Sequence, residues 1–429
     1  ISACLVGSEM CIRDRTYIQP HTKDYQKASI ALFISGFVTF ATLYTTQPLM
    51  PLFAEEFGIS AAAASLTLSI STGILAFALL TAAALSDGFG RKTIMAISLF
   101  ATSMLGLLTA FSPNFAALLV MRGLLGFFLA GVPAIAMTYV GEEFDPRGLG
   151  KMMGLYISGT SLGGMSGRLL TGLLTDLFSW RAALGIIGGL SVLLSYLFWM
   201  LLPRPQHSAK RKTSVKKASL AYSAVLMNKR LLSIISLGFL LMGSFVTLFN
   251  YIGFQLMGPP YRLSQTVIGF IFIVYLAGAI SSVYMGKKAD RFGSPLMLKI
   301  GIAIIAGGAL LTLLPQLSLK IAGIAVFTFG FFGSHSIASS WVGQTAGEQR
   351  VQASSLYLLS YYLGSSLAGS FGGFFWTHFK WPGIVSFITL LLLAAYPAIF
   401  FAEAKRNRRQ DDTQAVSYTH LTLPTTPSV

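Results

Sequence analysis

Long apolar runs separated by short polar turns organise almost the whole chain. Each run is about 20 residues, the length that carries an α-helix across roughly 30 Å of hydrocarbon. Twelve can be marked off: 29 to 53, 62 to 85, 93 to 111, 116 to 140, 151 to 175, 182 to 202, 231 to 256, 266 to 286, 295 to 315, 320 to 342, 352 to 376 and 383 to 402. The polar turns carry a repeat. Leu85-Ser86-Asp87-Gly88-Phe89-Gly90-Arg91-Lys92 returns imperfectly 203 positions later as Ala289-Asp290-Arg291-Phe292-Gly293. A charged turn repeated at half-chain spacing implies two fused, structurally equivalent halves.

Further matches support the duplication. Phe37-Val38-Thr39 echoes Phe245-Val246-Thr247, and Gln47-Pro48-Leu49-Met50-Pro51 echoes Gln255-Leu256-Met257-Gly258-Pro259, both at an offset of 208. Leu155-Tyr156, Gly163, Gly172 and Trp180 match Leu356-Tyr357, Gly364, Gly373 and Trp381 at an offset of 201. The expected fold is an all-α membrane protein of 12 helices in two pseudo-symmetric six-helix bundles. Its expected boundaries are a tail at 1 to 27, a bundle at 28 to 203, a linker at 204 to 230, a bundle at 231 to 403 and a tail at 404 to 429.

Composition agrees. Hydrophobic residues make up 54% of the chain, charged residues only 11%, and mean hydropathy is +0.68. A soluble domain would be about 25% charged. Lys and Arg are unevenly placed: with the N-terminus inside, 25 of the 31 fall in inner segments, and only Arg181, Arg262, Lys320 and Lys380 in outer ones. Cationic loops stay on the cytoplasmic side, so both termini are expected there. The net charge of +16 then reports topology and attraction to anionic lipids, with no nucleic acid implied.

Both ends stand apart. Residues 1 to 15 and 415 to 429 share no pattern with the rest and resemble translated sequencing adapters, so they are set aside from fold reasoning; disordered tails are the alternative. The only cysteines, Cys4 and Cys11, lie in the first of these, which leaves the body no disulfide or metal cluster. In the linker, Leu220, Ala221, Ala224, Val225 and Met227 are spaced for a helix lying on the inner membrane surface, with a solvated loop as the alternative.

The repeated turn resembles the signature Gly-x-x-x-Asp-Arg-x-Gly-Arg-Lys of the major facilitator superfamily, met here by Asp87, Gly90, Arg91 and Lys92, with Ala83 and Gly88 departing from it. The second copy keeps Gly286, Asp290, Arg291 and Gly293 but has Ser294-Pro295 in place of Arg-Lys. Arg122 with Gly126 resembles the family's Arg-containing motif, associated there with proton coupling. Gly154, Gly159, Gly163, Gly164 and Gly167 resemble the glycine-rich motif of its antiporter branch, with Thr160 where a Pro is usual. The whole is similar to bacterial twelve-helix drug and arabinose-efflux permeases over residues 25 to 405. The resemblance implies a monomeric inner-membrane permease driven by a proton gradient, without cofactor or metal, and not an enzyme. It also implies gating and proton-coupling roles for Asp87, Gly90, Arg91, Lys92, Arg122, Asp290 and Arg291.

Charges inside the spans point to chemistry. A charge at the bilayer centre costs about 2.5 to 3.5 kcal/mol on insertion scales, so Arg122 and Arg168 are expected to face a cavity or a partner. Arg122 alternatively snorkels, and Arg168 alternatively pairs with Asp176. In the repeated turn, Asp87 is placed to cap the next helix or pair with Arg91. The glycines are expected to admit a close neighbouring backbone.

All fifteen acidic residues fall near or beyond span ends. With embedded Arg and no embedded carboxylate, a neutral or anionic solute is favoured over a lipophilic cation. His335, with an unperturbed pKa of about 6.5, is the candidate proton carrier within a span, against the alternative of a satisfied hydrogen-bonding residue. Tyr44, Gln47, Asn250, Tyr251, Tyr361 and Tyr362 complete the expected cavity, with helix tying as the alternative for each. Two directions stay open: proton-coupled export of a neutral or anionic compound, and proton symport importing a sugar or organic acid. A membrane sensor without transport is the remaining class.

Overall fold

The computed structural model describes residues 17 to 19, 22 to 145, 149 to 205 and 215 to 421; the side chains of 82 to 89, 134, 215 to 219 and 405 to 421 lie outside that description. Within these bounds the secondary structure is helical, apart from one parallel bridge between Ile18 and Phe144.

The first span is two helices. α1 (Lys23–Tyr44) starts at Thr22, whose Oγ1 accepts from the Tyr25 N–H at 3.2 Å. It stops where Pro48 has no N–H to give the Tyr44 carbonyl, which accepts from the Gln47 N–H instead at 3.2 Å. A short α2 (Met50–Glu56) follows, with Pro51 in its first turn. α3 (Ala61–Phe89) and α4 (Arg91–Thr109) are joined by Gly90. The fourth span is also broken, into α5 (Phe115–Leu129) and α6 (Pro133–Glu143), because Pro133 cannot continue the hydrogen-bond ladder. α7 (Leu149–Leu177) and α8 (Trp180–Leu201) complete the first half. α7 runs on through Thr160, whose Oγ1 donates to the Ile157 carbonyl at 2.7 Å.

The linker forms α9 (Val215–Met227), so the helical reading of that segment holds, although only Val225 of the apolar set is buried and Leu220 and Met227 are exposed. α10 (Lys229–Met257) is followed by α11 (Gln265–Ile271), which passes through a 3₁₀ turn at Phe272–Val274 into α12 (Tyr275–Phe292). α13 (Ser294–Leu311), α14 (Leu317–Ala346) and α15 (Arg350–Leu421) follow. α15 breaks at Lys380, with φ 51° and ψ −142°, and so provides the last two spans. Eight stretches among the described residues are long and apolar enough to cross a membrane, and one of them, Leu317–Ala404, holds three expected spans. With α5 and α6 taken together and the 29-residue α7, they account for all twelve.

The repeat is visible in the backbone. Gly90 is the N-cap of α4 with φ 87° and ψ 135°; Gly293 is the N-cap of α13 with φ 88° and ψ 142°. Only glycine adopts this conformation without strain, which explains its recurrence at an offset of 203.

Two compact units emerge from main-chain proximity. One takes the chain up to Thr213 with Phe245–Leu276 and Tyr362–Phe387; the other takes Ser214–Ser244, Ala277–Tyr361 and the remainder from Ile388. In the first, α1 packs along α7, α4 along α8 and α3 along α5. In the second, α13 packs along α14, where the positions that Cβ atoms on Gly308 and Gly323 would occupy lie 2.4 Å from the Phe327 nitrogen and 2.8 Å from the Gly308 carbonyl.

Candidate functional site

Three buried polar side chains of the first unit form one chain. Arg168 in α7 donates from Nε to Gln47 Oε1 at 2.7 Å, and Gln47 donates from Nε2 to Asn250 Oδ1 in α10 at 2.8 Å. Each is at most 2% exposed. Arg168 Nη1 also donates to the Gly164 carbonyl at 2.7 Å, and the guanidinium lies 3.7 Å over the Tyr44 ring and within 5 Å of the Phe272 and Tyr275 rings. Gln47 is free to bridge because the chain has just left α1 at the Pro48 break. The alternative pairing of Arg168 with Asp176 is not made: among the described residues, Arg168 meets only uncharged partners.

Asp176, just past the fifth span, accepts the main-chain N–H groups of Gln265 (3.2 Å) and Thr266 (2.7 Å) at the start of α11. Partial burial acts to raise its pKa, but hydrogen bonds from Thr266, Ser264 and Gln265 to the ionised form win and hold it below the usual carboxylate range. Close by, Gly172 lets α7 and α11 meet backbone to backbone: a Cβ there would lie 2.3 Å from the Gln265 carbonyl. Ser366 Oγ in α15 donates to the Ser69 carbonyl in α3 at 2.7 Å, and Thr247 Oγ1 donates to the Ala368 carbonyl at 3.2 Å. Within the first unit, α11 and α15 from the second half of the chain are therefore packed on α7 and α3 from the first.

Arg122 is not a snorkelling residue. It is 1% exposed and its guanidinium is satisfied by main-chain carbonyls of Thr67 (2.8 Å), Thr42 (3.0 Å) and Leu43. The Thr42 and Leu43 carbonyls are in the last turn of α1, where the break at Gln47 and Pro48 frees acceptors and the helix dipole is negative. One turn on, Gly126 lets α5 reach α3, since a Cβ there would sit 2.2 Å from the Ser71 carbonyl. Arg122 thus ties α1, α3 and α5 together.

The repeated turn has a partner that the sequence reading missed. Arg91 Nε and Nη2 donate to the two carboxylate oxygens of Glu142, at the end of α6, at 2.5 and 2.6 Å. Lys92 donates to the Leu202 carbonyl. Asp87 is on α3, and its side chain, with the cap or Arg91 pair expected of it, lies outside the described ones. In the second copy Asp290 and Arg291 are exposed, and Arg291 lies 5.2 Å over the Phe292 ring.

The glycine stripe divides. Cβ atoms on Gly159, Gly163 and Gly167 would lie 2.4, 2.1 and 2.5 Å from the carbonyls of Phe33, Phe37 and Ala41, so these three set the α1–α7 contact. Gly154 has open space beside it and makes no such contact, correcting its assignment to packing. Gly164 belongs to the Arg168 surroundings instead. Tyr251 ties helices, the alternative given for it: its hydroxyl donates to the Gly369 (3.0 Å) and Ser370 (3.3 Å) carbonyls, joining α10 to α15. In the second unit, His335 Nδ1 is hydrogen-bonded to the Tyr357 hydroxyl at 2.9 Å, and the imidazole stacks on Phe331 at 5.9 Å and lies tilted against Tyr361 at 4.7 Å. This matches the satisfied-histidine alternative. Tyr362 is buried in the first unit.

The sequence model of the Major Facilitator Superfamily matches residues 32–368 and again 261–426. The chain is 48% identical over 380 residues to YybF, an MFS-type transporter of Bacillus subtilis, covering 89% of this chain and 94% of that one. It is 44% identical over 381 residues to YnfM, an inner membrane transport protein of Escherichia coli, covering 88% and 91%. The fold resembles that of a bacterial homologue of the human lysosomal transporter Spinster, solved in an inward-facing and unoccupied conformation, with a TM-score of 0.73 and 17% identity over 90% of this chain and 98% of that one. The chain belongs to the major facilitator superfamily and is a multi-pass membrane transporter, as the relatives named here are transporters.

Proposed function

We propose that the chain is a proton-coupled exporter of a small neutral or anionic solute, working by alternating access in a bacterial inner membrane with both termini in the cytoplasm. The observation that carries the solute class is the buried Arg168–Gln47–Asn250 chain, a fixed positive charge and amides drawn from two helices and the break after α1, with no carboxylate partner among the described residues. Such a group repels a cation and favours an acceptor-rich solute. Asp87, Arg91, Lys92 and Glu142 serve the inner gate, with Asp87 as the proton-linked group by family resemblance; Asp290 and Arg291 are its structural counterpart. The protein needs no cofactor beyond the proton gradient, and its partners are the solute, protons and anionic lipids around a monomer.

Import by symport is the second reading, favoured by one feature: α7 runs unbroken through Thr160, where the antiporter motif has Pro. The two are separated by solute uptake into everted vesicles with an imposed pH gradient. Export by proton exchange requires accumulation when the vesicle interior is acidic; symport requires loss of preloaded solute under the same gradient.

A further inference from the structure

The Arg168 cluster holds one positive charge whose contacts are an amide oxygen, a main-chain carbonyl and aromatic rings. Burying an ion with no countercharge is costly. A second feature points the same way: Asn250 Nδ2 is buried with no acceptor among the described residues. Gln47 sits between the two, its oxygen on Arg168 and its nitrogen on Asn250. The Gln47 amide oxygen thus occupies the Arg168 guanidinium, while the same amide is bonded to the Asn250 side chain whose Nδ2 has no acceptor among the described residues.

We propose that the Arg168 guanidinium is a carboxylate subsite for a monoanionic organic acid, whose carboxylate displaces the Gln47 oxygen from Arg168 and accepts from the unpartnered Asn250 amide. The inference rests on the transporter reading and narrows its solute class. A monoanion follows from charge balance: one guanidinium neutralises one carboxylate, whereas a dianion leaves a net buried charge. A carboxylate follows from shape, since a planar guanidinium fork matches two coplanar oxygens. The rings of Tyr44 and Phe272, already against the guanidinium, give an apolar surface for the rest of the acid.

The test is thermal stabilisation of purified full-length protein by acetate, pyruvate and benzoate, each against its uncharged amide and against chloride. Carboxylates are expected to raise the melting temperature, while the amides and chloride do not. Arg168→Gln is expected to weaken benzoate binding by roughly tenfold or more, as loss of a hydrogen bond to a charged group does. Arg168→Lys, which keeps the charge without the fork, is the check if the Gln variant fails to fold, and it is expected to retain weakened binding. Gln47→Ala removes the competing acceptor and is expected to tighten benzoate binding; weaker binding in that variant contradicts displacement. Stabilisation by none of the three acids, or equally by amides or chloride, overturns the proposal. Should pH-gradient-driven movement of a neutral solute persist in that case, the transporter reading stands and only the carboxylate subsite falls.

Discussion

Gln47 and Asn250, 203 residues apart, share a 2.8 Å hydrogen bond with both side chains fully buried. It joins the broken end of α1, in the first half of the chain, to α10 in the second. On the transport reading proposed above, this bond is expected to break when the outer side opens. Asn250→Leu leaves Gln47 Nε2 buried without an acceptor, a cost of about 1 to 3 kcal/mol to the closed state. A cysteine placed at Thr46, in a variant without Cys4 and Cys11, is then expected to react faster with maleimide than in the Asn250 background. Equal rates contradict the gate.

Arg91 and Glu142 form a two-point pair in which Arg91 is largely buried. Glu142→Gln is expected to lower transport strongly while the protein still inserts, and the exchange Arg91→Glu with Glu142→Arg to restore part of it. Loss of the pair costs about 1.5 to 3 kcal/mol of the gated state. Full activity in Glu142→Gln, measured by proteoliposome flux, removes the pair from the gate.

Arg122→Ala strips three main-chain carbonyls of their donor. Turnover is expected to be abolished in inserted protein, and the melting temperature to fall, with a loss of about 3 kcal/mol or more for a dismantled buried network. Normal flux in this variant sinks the role given to Arg122.

Gly163 and Gly154 provide a matched pair. Gly163→Val drives a side chain into the Phe37 main chain and is expected to cost several kcal/mol, roughly 3 or more, through forced separation of α1 and α7. Gly154→Ala meets open space and is expected to be neutral or to stabilise by up to about 1 kcal/mol through helix propensity. Thermal unfolding in detergent checks both, and equal effects contradict the packing account.

Asp176 contributes a pH dependence with a definite sign. Its folded pKa is depressed, so the stabilisation is present above the unfolded value, about 3.9, and is lost as pH falls through the folded value. The stability difference between wild type and Asp176→Asn is therefore expected at neutral pH and to shrink below about pH 4. A difference that grows on acidification contradicts the α11 contact.

Much of the architecture is legible in residue pattern because spans are written locally: apolar length and the Gly90 and Gly293 turns mark helices and halves without any partner in view. The breaks were not read from the pattern, which ran 29 to 53 and 116 to 140 as unbroken spans although Pro48 and Pro133 stand in them. Nor were the partners. Glu142 was visible only as an acid at a span end, and nothing local says that Arg91 turns to it or that Asp176 turns to α11 and not to Arg168. Helix register is equally non-local. Gly36 would place a Cβ 2.7 Å from the Tyr156 carbonyl and Gly238 one 3.1 Å from the Tyr357 carbonyl, an offset of 202 where the Phe-Val-Thr echo had suggested 208. Short matching words align sequences; contacts align helices.

Solute flux into everted vesicles under an imposed pH gradient tests the central claim most directly. With an acidic interior, the wild type is expected to accumulate a small neutral or anionic solute, to lose that accumulation with an uncoupler, and to lose it in Asp87→Asn while the variant remains in the membrane. A wild type that moves no solute under either direction of gradient, or an Asp87→Asn variant that accumulates normally, contradicts proton-coupled transport through this gate.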